Sequence, residues 1–211
     1  MSLALDAVLT LGPVVPVLVI EQEADAEPLA RALVAGGVRA LEVTLRTPAA
    51  LPAIRRIAEA VPQAVVGAGT VLNEGDLEAA ISAGARFIVS PGLTEPLARA
   101  AAAAQVAFLP GVVTASEIML GLDLGLTRFK FFPAESSGGA AAVAAFAGPF
   151  AGVRFCPTGG IRPERAADYL GLPNVACVGG TWLAPKDAVR GGDWARVEAL
   201  ARSAAALRPA A

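Results

Sequence analysis

Apolar residues gather in short runs along the whole chain, and each run is followed by a longer segment of helical pattern. Runs of strand composition begin near Val14, Ala40, Ala64, Arg86, Val106, Thr127, Gly152 and Val175, spaced 20 to 26 residues apart. The alanine-rich segments between them carry helix-start signals. Thr47-Pro48 predicts an N-cap followed by proline at the first helical position. "TASE" from Thr114 to Glu117 predicts a capping box, and Asn73 a cap for the segment ending near Ala83. Strand–helix units of this length fit right-handed crossovers within a parallel sheet. Eight of them predict an α/β (β/α)8 barrel forming one domain over residues 1–211, with an open doubly wound sheet as the alternative. The residues up to about Leu11 and the final "DWARVEALARSAAAL" predict extra helices on the outside of that barrel. The spacing of Trp194, Val197, Leu200 and Ala204 marks a core stripe on the last one.

Within the strands, alternation sorts the side chains onto two faces. In "LEVTLRT", Leu41, Val43 and Leu45 share one face, and Glu42, Thr44 and Arg46 share the other. In "TRFKFFPAE", Phe129 and Phe131 point one way while Arg128, Lys130 and Phe132 point the other. The apolar face belongs against the helices, so Glu42, Arg46 and Lys130 are predicted to face the interior. Charge there costs free energy unless it is paired or binds a ligand. A structural Glu–Arg pair and a solvated lysine on an edge strand are the plain readings of either motif alone. Two strands presenting charge to one interior favour a site, with Lys130 a partly desolvated, nucleophilic amine.

The strand ends are rich in glycine. "VGAGTV" places Thr70 after two glycines, but Leu72 stands where a dinucleotide fingerprint needs its third. The fourth run ends in Ser90-Pro91-Gly92. The last two end in "CPTGGI" and "VGGTW". Glycine pairs after the last two strands expose backbone N–H groups, as a barrel phosphate site requires, although tight turns use them too.

Composition narrows the chemistry. Hydrophobic residues make up 55% and charged residues 17% of 211, with a net charge of −2 and no basic block. Neither nucleic acid nor a membrane surface is expected as a partner. Mean hydropathy is +0.59, yet the most apolar early stretch, "VLTLGPVVPVLVI", is broken by Gly12, Pro13 and Pro16 and is too short to span. "MSLALDAV" lacks the basic start of a signal peptide, so a soluble cytoplasmic protein is expected. Cys156 and Cys177 fit no metal spacing and read as small core residues. The absence of histidine leaves acid–base work to carboxylates, lysine, tyrosine or water. Only Lys130 and Lys186 are lysines, and Lys186 falls in a segment that reads as a solvated loop.

"GGVRALEVTLRT", "VGAGTV", "SPGLTEP", "FKFFPAE", "GPFAGVRFCPTGGI" and "GGTW" together closely resemble the 2-keto-3-deoxy-6-phosphogluconate aldolase family, over about Gly12 to Trp194. The resemblance implies a metal- and cofactor-independent class I aldolase on a homotrimeric (β/α)8 barrel, acting on a small phosphorylated keto acid. It implies Lys130 as the Schiff-base lysine and Glu42 as the general acid/base. Arg46 and Thr70 match the carboxylate-binding pair; Pro91, Phe132 and Thr158 match the remaining substrate contacts. Gly159, Gly160, Gly180 and Thr181 match the phosphate turns, with threonine at 181 where serine is more usual. Aldolases for 4-hydroxy-2-oxoglutarate or the galactonate epimer, a phosphosugar epimerase or isomerase, and a noncatalytic binding protein are the alternatives.

Overall fold

The computed structural model describes residues 4–207. Among these residues are nine parallel strands, separated by helices except that β6 follows β5 directly: β1 Val14–Leu18, β2 Ala40–Thr44, β3 Val65–Gly69, β4 Phe87–Val89, β5 Ala107–Leu109, β6 Gly111–Val112, β7 Arg128–Phe131, β8 Arg154–Pro157 and β9 Val178–Gly180. The helices are α1 Leu5–Leu9, α2 Ala26–Ala35, α3 Ala50–Ala60, α4 Glu74–Ser82, α5 Glu95–Ala103, α6 Ala115–Asp123, α7 Gly139–Ala145, α8 Pro163–Leu170, α9 Lys186–Arg190 and α10 Trp194–Ala205. Among the described residues no helix is long and apolar enough to cross a membrane.

The expected closed (β/α)8 barrel is not what the ladders form. A curled six-stranded sheet in the order β5-β4-β3-β2-β1-β9 stands beside a three-stranded sheet in the order β6-β7-β8. One break falls at Pro110, which separates β5 from β6 and has no N–H to give to a ladder. The other falls between β8 and β9, which meet only in the isolated bridges Phe155↔Val175 and Thr158↔Gly179. Those bridges are three residues apart on one strand and four on the other, so the register slips and no regular ladder forms. The fold class remains α/β.

Alternation divides the core as it should. Val14, Leu18, Leu41, Val43, Val66, Ala68, Ile88, Phe108, Phe129, Phe131, Phe155 and Val178 pack outward with the helices. A second cluster fills the inner face with Val15, Ala40, Val65, Phe87, Val89, Ala107, Leu109, Cys156 and Cys177. Val8 and Leu9 belong to that inner cluster. α1 therefore covers the inner face rather than lying outside, a correction to its predicted place. Its Asp6 pairs at 2.6 Å with Arg128 of β7, which projects from the same face as Lys130. At the other end of the chain, α10 packs on α2 through Val197, Ala201 and Ala204. Gly36 makes this close approach possible, because a Cβ there would lie 2.4 Å from that of Ala201.

The caps largely follow the sequence. Asn73 accepts from the Asp76 N–H at 2.9 Å, and the Thr114–Glu117 capping box forms. Thr47 does not cap: α3 starts at Ala50, and the Thr47 hydroxyl instead donates to the Ile20 carbonyl at 2.6 Å.

Candidate active site

Lys130 and Glu42 meet on the inner face, Nζ to Oε1 3.0 Å, with side chains 5% and 4% exposed. The sequence around each explains the meeting. On β7, Phe129 and Phe131 point outward onto Phe155, with ring centroids 6.4 and 6.3 Å away. Alternation then obliges Lys130 to point inward, and Nζ stands 5.3 Å from the Phe132 ring centroid. On β2, Leu41 and Val43 are buried among the helices and send Glu42 inward. Room for its carboxylate comes from Gly69 on the neighbouring strand, where a Cβ would lie 2.2 Å from Oε1. The contact is that of a desolvated, hydrogen-bonded ion pair. The near partner of Lys130 is thus a carboxylate.

Arg46, just past the end of β2, donates from Nε to Thr70 Oγ1 at 3.1 Å. Thr70 holds φ +58, a left-handed conformation that a β-branched residue adopts only when its surroundings impose it, at a cost of about 1–3 kcal/mol. Both side chains stand at the strand C-terminal ends.

A cavity of about 170 Å³ opens over Lys130, lined by Val17, Arg46, Phe132, Thr158, Gly159, Gly160, Ile161, Gly179 and Thr181. It brings together seven of the eleven residues singled out in the sequence. Glu42 and Thr70 adjoin it through their bonds to Lys130 and Arg46. Pro91 is half-buried with its carbonyl against the α-carbon of Gly111, which pairs with Lys130 in the β6–β7 register. Gly180 turns its α-carbon toward the Trp182 ring, and the cavity wall is built from Gly179 instead. Val17, Ile161 and Gly179 were missed. The alternation of β1, which puts Val15 on the inner face, would have found Val17. Larger hollows lie between α4 and α5, about 590 Å³, and beside α1, about 400 Å³. The first offers carboxylates without a cation, and in the second Asp6 and Arg128 neutralise each other.

The glycine turn after β8 has the features of an anion receptor. Gly159 and Gly160 take φ +107 and +78, which glycine adopts freely. Among the described residues, no backbone acceptor takes the N–H groups of Gly159, Gly160 or Ile161.

Two further titratable groups are held neutral by their surroundings. Hydrogen bonding with Cys156, full burial and the nearby Glu42 charge push the Cys177 thiol up, so it stays protonated and inert. Burial, then its hydrogen bond to Glu135, likewise pushes the Tyr169 phenol up. Tyr169 is not in the cavity wall. Lys186 begins α9 rather than lying in a loop; its amine is solvated and 3.9 Å from Glu21.

Comparison with known proteins agrees with this geometry. The family model described as "Aldolase: KDPG and KHG aldolase" matches residues 5–200. The "KHG/KDPG aldolase" of Escherichia coli (strain K12) is 58% identical over 199 residues, covering 94% of this chain and 93% of its own. The crystal structure of the 2-keto-3-deoxy-6-phosphogluconate aldolase of Zymomonas mobilis ZM4 with 3-phosphoglycerate superposes with a TM-score of 0.93 at 56% identity, covering 98% of this chain and 97% of that one. The KDPG aldolase of Legionella pneumophila, solved with pyruvate captured at low pH as a covalent carbinolamine intermediate, gives 0.95 at 44% identity, covering 97% and 99%. The chain belongs to the KDPG and KHG aldolase family.

Proposed function

We propose that this protein is a class I aldolase cleaving 2-keto-3-deoxy-6-phosphogluconate to pyruvate and glyceraldehyde 3-phosphate through a Schiff base on Lys130. The observation that carries the reading is the buried Lys130–Glu42 pair, 3.0 Å apart, at the floor of a cavity walled by the glycine turns. The Lys130 ammonium passes a proton to Glu42, and the freed amine adds to the C2 carbonyl, one of its own protons moving to the former carbonyl oxygen to give a carbinolamine hydroxyl. Glu42 returns that proton to the departing hydroxyl. Water leaves, and an iminium faces a carboxylate. Glu42, directly or through a water, then takes the C4 hydroxyl proton as the C3–C4 electrons move into the iminium. Glyceraldehyde 3-phosphate leaves, and Glu42 protonates C3 of the remaining enamine. Hydrolysis frees pyruvate.

Around that chemistry, Arg46 grips the substrate carboxylate with its planar fork, steadied by Thr70. Phe132, Pro91 and Thr158 shape the pyruvyl end. Gly159, Gly160, Gly180 and Thr181 receive the phosphate through N–H and hydroxyl donors. No metal or organic cofactor enters any step. The name of the Escherichia coli relative favours a second substrate, 4-hydroxy-2-oxoglutarate, on the same residues. We place the enzyme in the cytoplasm as a homotrimer, so sedimentation should give three times the 21.2 kDa chain mass. Assaying 2-keto-3-deoxy-6-phosphogluconate, its galactonate epimer and 4-hydroxy-2-oxoglutarate side by side tests the substrate. The highest kcat/KM is expected for the first, and a higher value for either of the others would displace it.

A further inference from the structure

The Gly159–Gly160 turn has no side chains to hold it, yet its backbone must keep one orientation for its N–H groups to receive an anion. Both glycines have positive φ and wide conformational freedom. What restrains them is the segment that follows β7. The Thr158 carbonyl accepts from the Ala134 N–H at 2.8 Å, and the Gly159 carbonyl accepts from the Glu135 N–H at 3.0 Å. In a planar trans peptide the carbonyl and the following N–H point opposite ways. Anchoring these two carbonyls to 134–135 therefore turns the N–H groups of Gly159 and Gly160 away from that segment.

Ala134 and Glu135 lie at the entry to a short 3-10 turn, Glu135–Ser137, and need an anchor of their own. Tyr169, fully buried on α8, donates its hydroxyl to the Glu135 carboxylate. The Glu135 stem also lies against the turn, since a Cβ on Gly160 would come 2.9 Å from that of Glu135. One side-chain bond thus ties the lysine-bearing strand's exit to the helix that follows the glycine turn. Burial keeps the Tyr169 phenol protonated, so it remains a donor.

We propose that Glu135 and Tyr169 are a positioning pair that fixes the Gly159–Gly160 turn for a phosphate, and so set the preference for phosphorylated over unphosphorylated 2-keto acids. This rests on the turn being the phosphate site. The pair touches neither the substrate nor the Schiff base, so its loss acts on binding of one end of the substrate.

The test measures kcat and KM for 2-keto-3-deoxy-6-phosphogluconate and for 4-hydroxy-2-oxoglutarate. Tyr169→Phe and Glu135→Ala should each raise KM for the phosphorylated substrate about tenfold more than for the unphosphorylated one, the scale of a hydrogen bond to a charged group. Glu135→Gln, which keeps an acceptor for the phenol, should stay near the parent. Glu135 is exposed, so its substitution removes no core side chain, and Glu135→Gln also keeps a partner for the buried Tyr169 phenol. Equal losses on both substrates, losses in kcat alone, or unchanged kinetics would overturn the proposal. Thr181→Val, assayed in parallel, separates the two layers. If it shifts the ratio of substrates and the Glu135 and Tyr169 variants do not, only the positioning role fails. If none does, the phosphate is bound elsewhere.

Discussion

Gly69 is where the fold makes room for the chemistry, and Gly69→Ala tests whether that room matters. The backbone at Gly69 does not occupy the left-handed region, so alanine meets no conformational penalty. The added methyl would lie 2.2 Å from Glu42 Oε1, 2.7 Å from Cγ and 2.8 Å from Cδ. Comfortable separations are about 3.5 Å, so the carboxyl must retreat by about 1 Å. That opens its 3.0 Å contact with Lys130. Misplacing a reacting group by about 1 Å costs about 10²-fold, and kcat should fall by that order. Pyruvate release coupled to lactate dehydrogenase measures it. Gly12→Ala, whose methyl meets open space, serves as the control. Adding Gly69→Ala to Glu42→Gln should cost little more, because both act through one carboxyl group. A folded Gly69→Ala enzyme with the control's kcat would refute the view that Glu42 must stand where it does.

Glu42→Gln keeps the shape and removes the titratable proton. It should lower kcat by about 10²–10⁴-fold while iminium with pyruvate still forms slowly, and near-parent turnover would remove Glu42 from the mechanism. Thr181→Val should weaken phosphorylated substrate by about 1.5–3 kcal/mol relative to an unphosphorylated keto acid, read from the ratio of kcat/KM values. Leu9→Ala should cost about 2–5 kcal/mol in urea unfolding, because Leu9 is 2% exposed within the inner cluster; a loss under about 0.5 kcal/mol would return α1 to the periphery.

Much of the site was legible because a strand's two faces are set by alternation alone. Phe129 and Phe131 outward mean Lys130 inward, and Leu41 and Val43 outward mean Glu42 inward. Strand positions were also readable: the first two start where the pattern put them, the other six predicted ones within one to three residues, and only the two-residue β6 had no counterpart. What escaped depends on distant pairings. Apolar Val8 and Leu9 suit either face of a sheet, and the sequence does not say which face is left uncovered. The ladder fails to close because of a one-residue slip between β8 and β9, and each strand alone has unremarkable composition. Pro110 could have warned of the other break. The left-handed backbone of Thr70 is imposed by its surroundings, and no propensity would assign it to threonine. The hydroxyl of Thr47 was claimed by Ile20, a competitor invisible from the Thr-Pro pair alone.

The central claim is that Lys130 forms a covalent Schiff base, and two lysines make the test decisive. Arginine cannot substitute, since it stays protonated. Lys186 is solvated with its side chain 72% exposed, whereas Lys130 is buried beside the carboxylate that can take its proton. Incubation with pyruvate and borohydride, followed by peptide mass spectrometry, should show one reduced adduct per chain, on the peptide containing Lys130. No adduct, or an adduct on Lys186, would contradict the account.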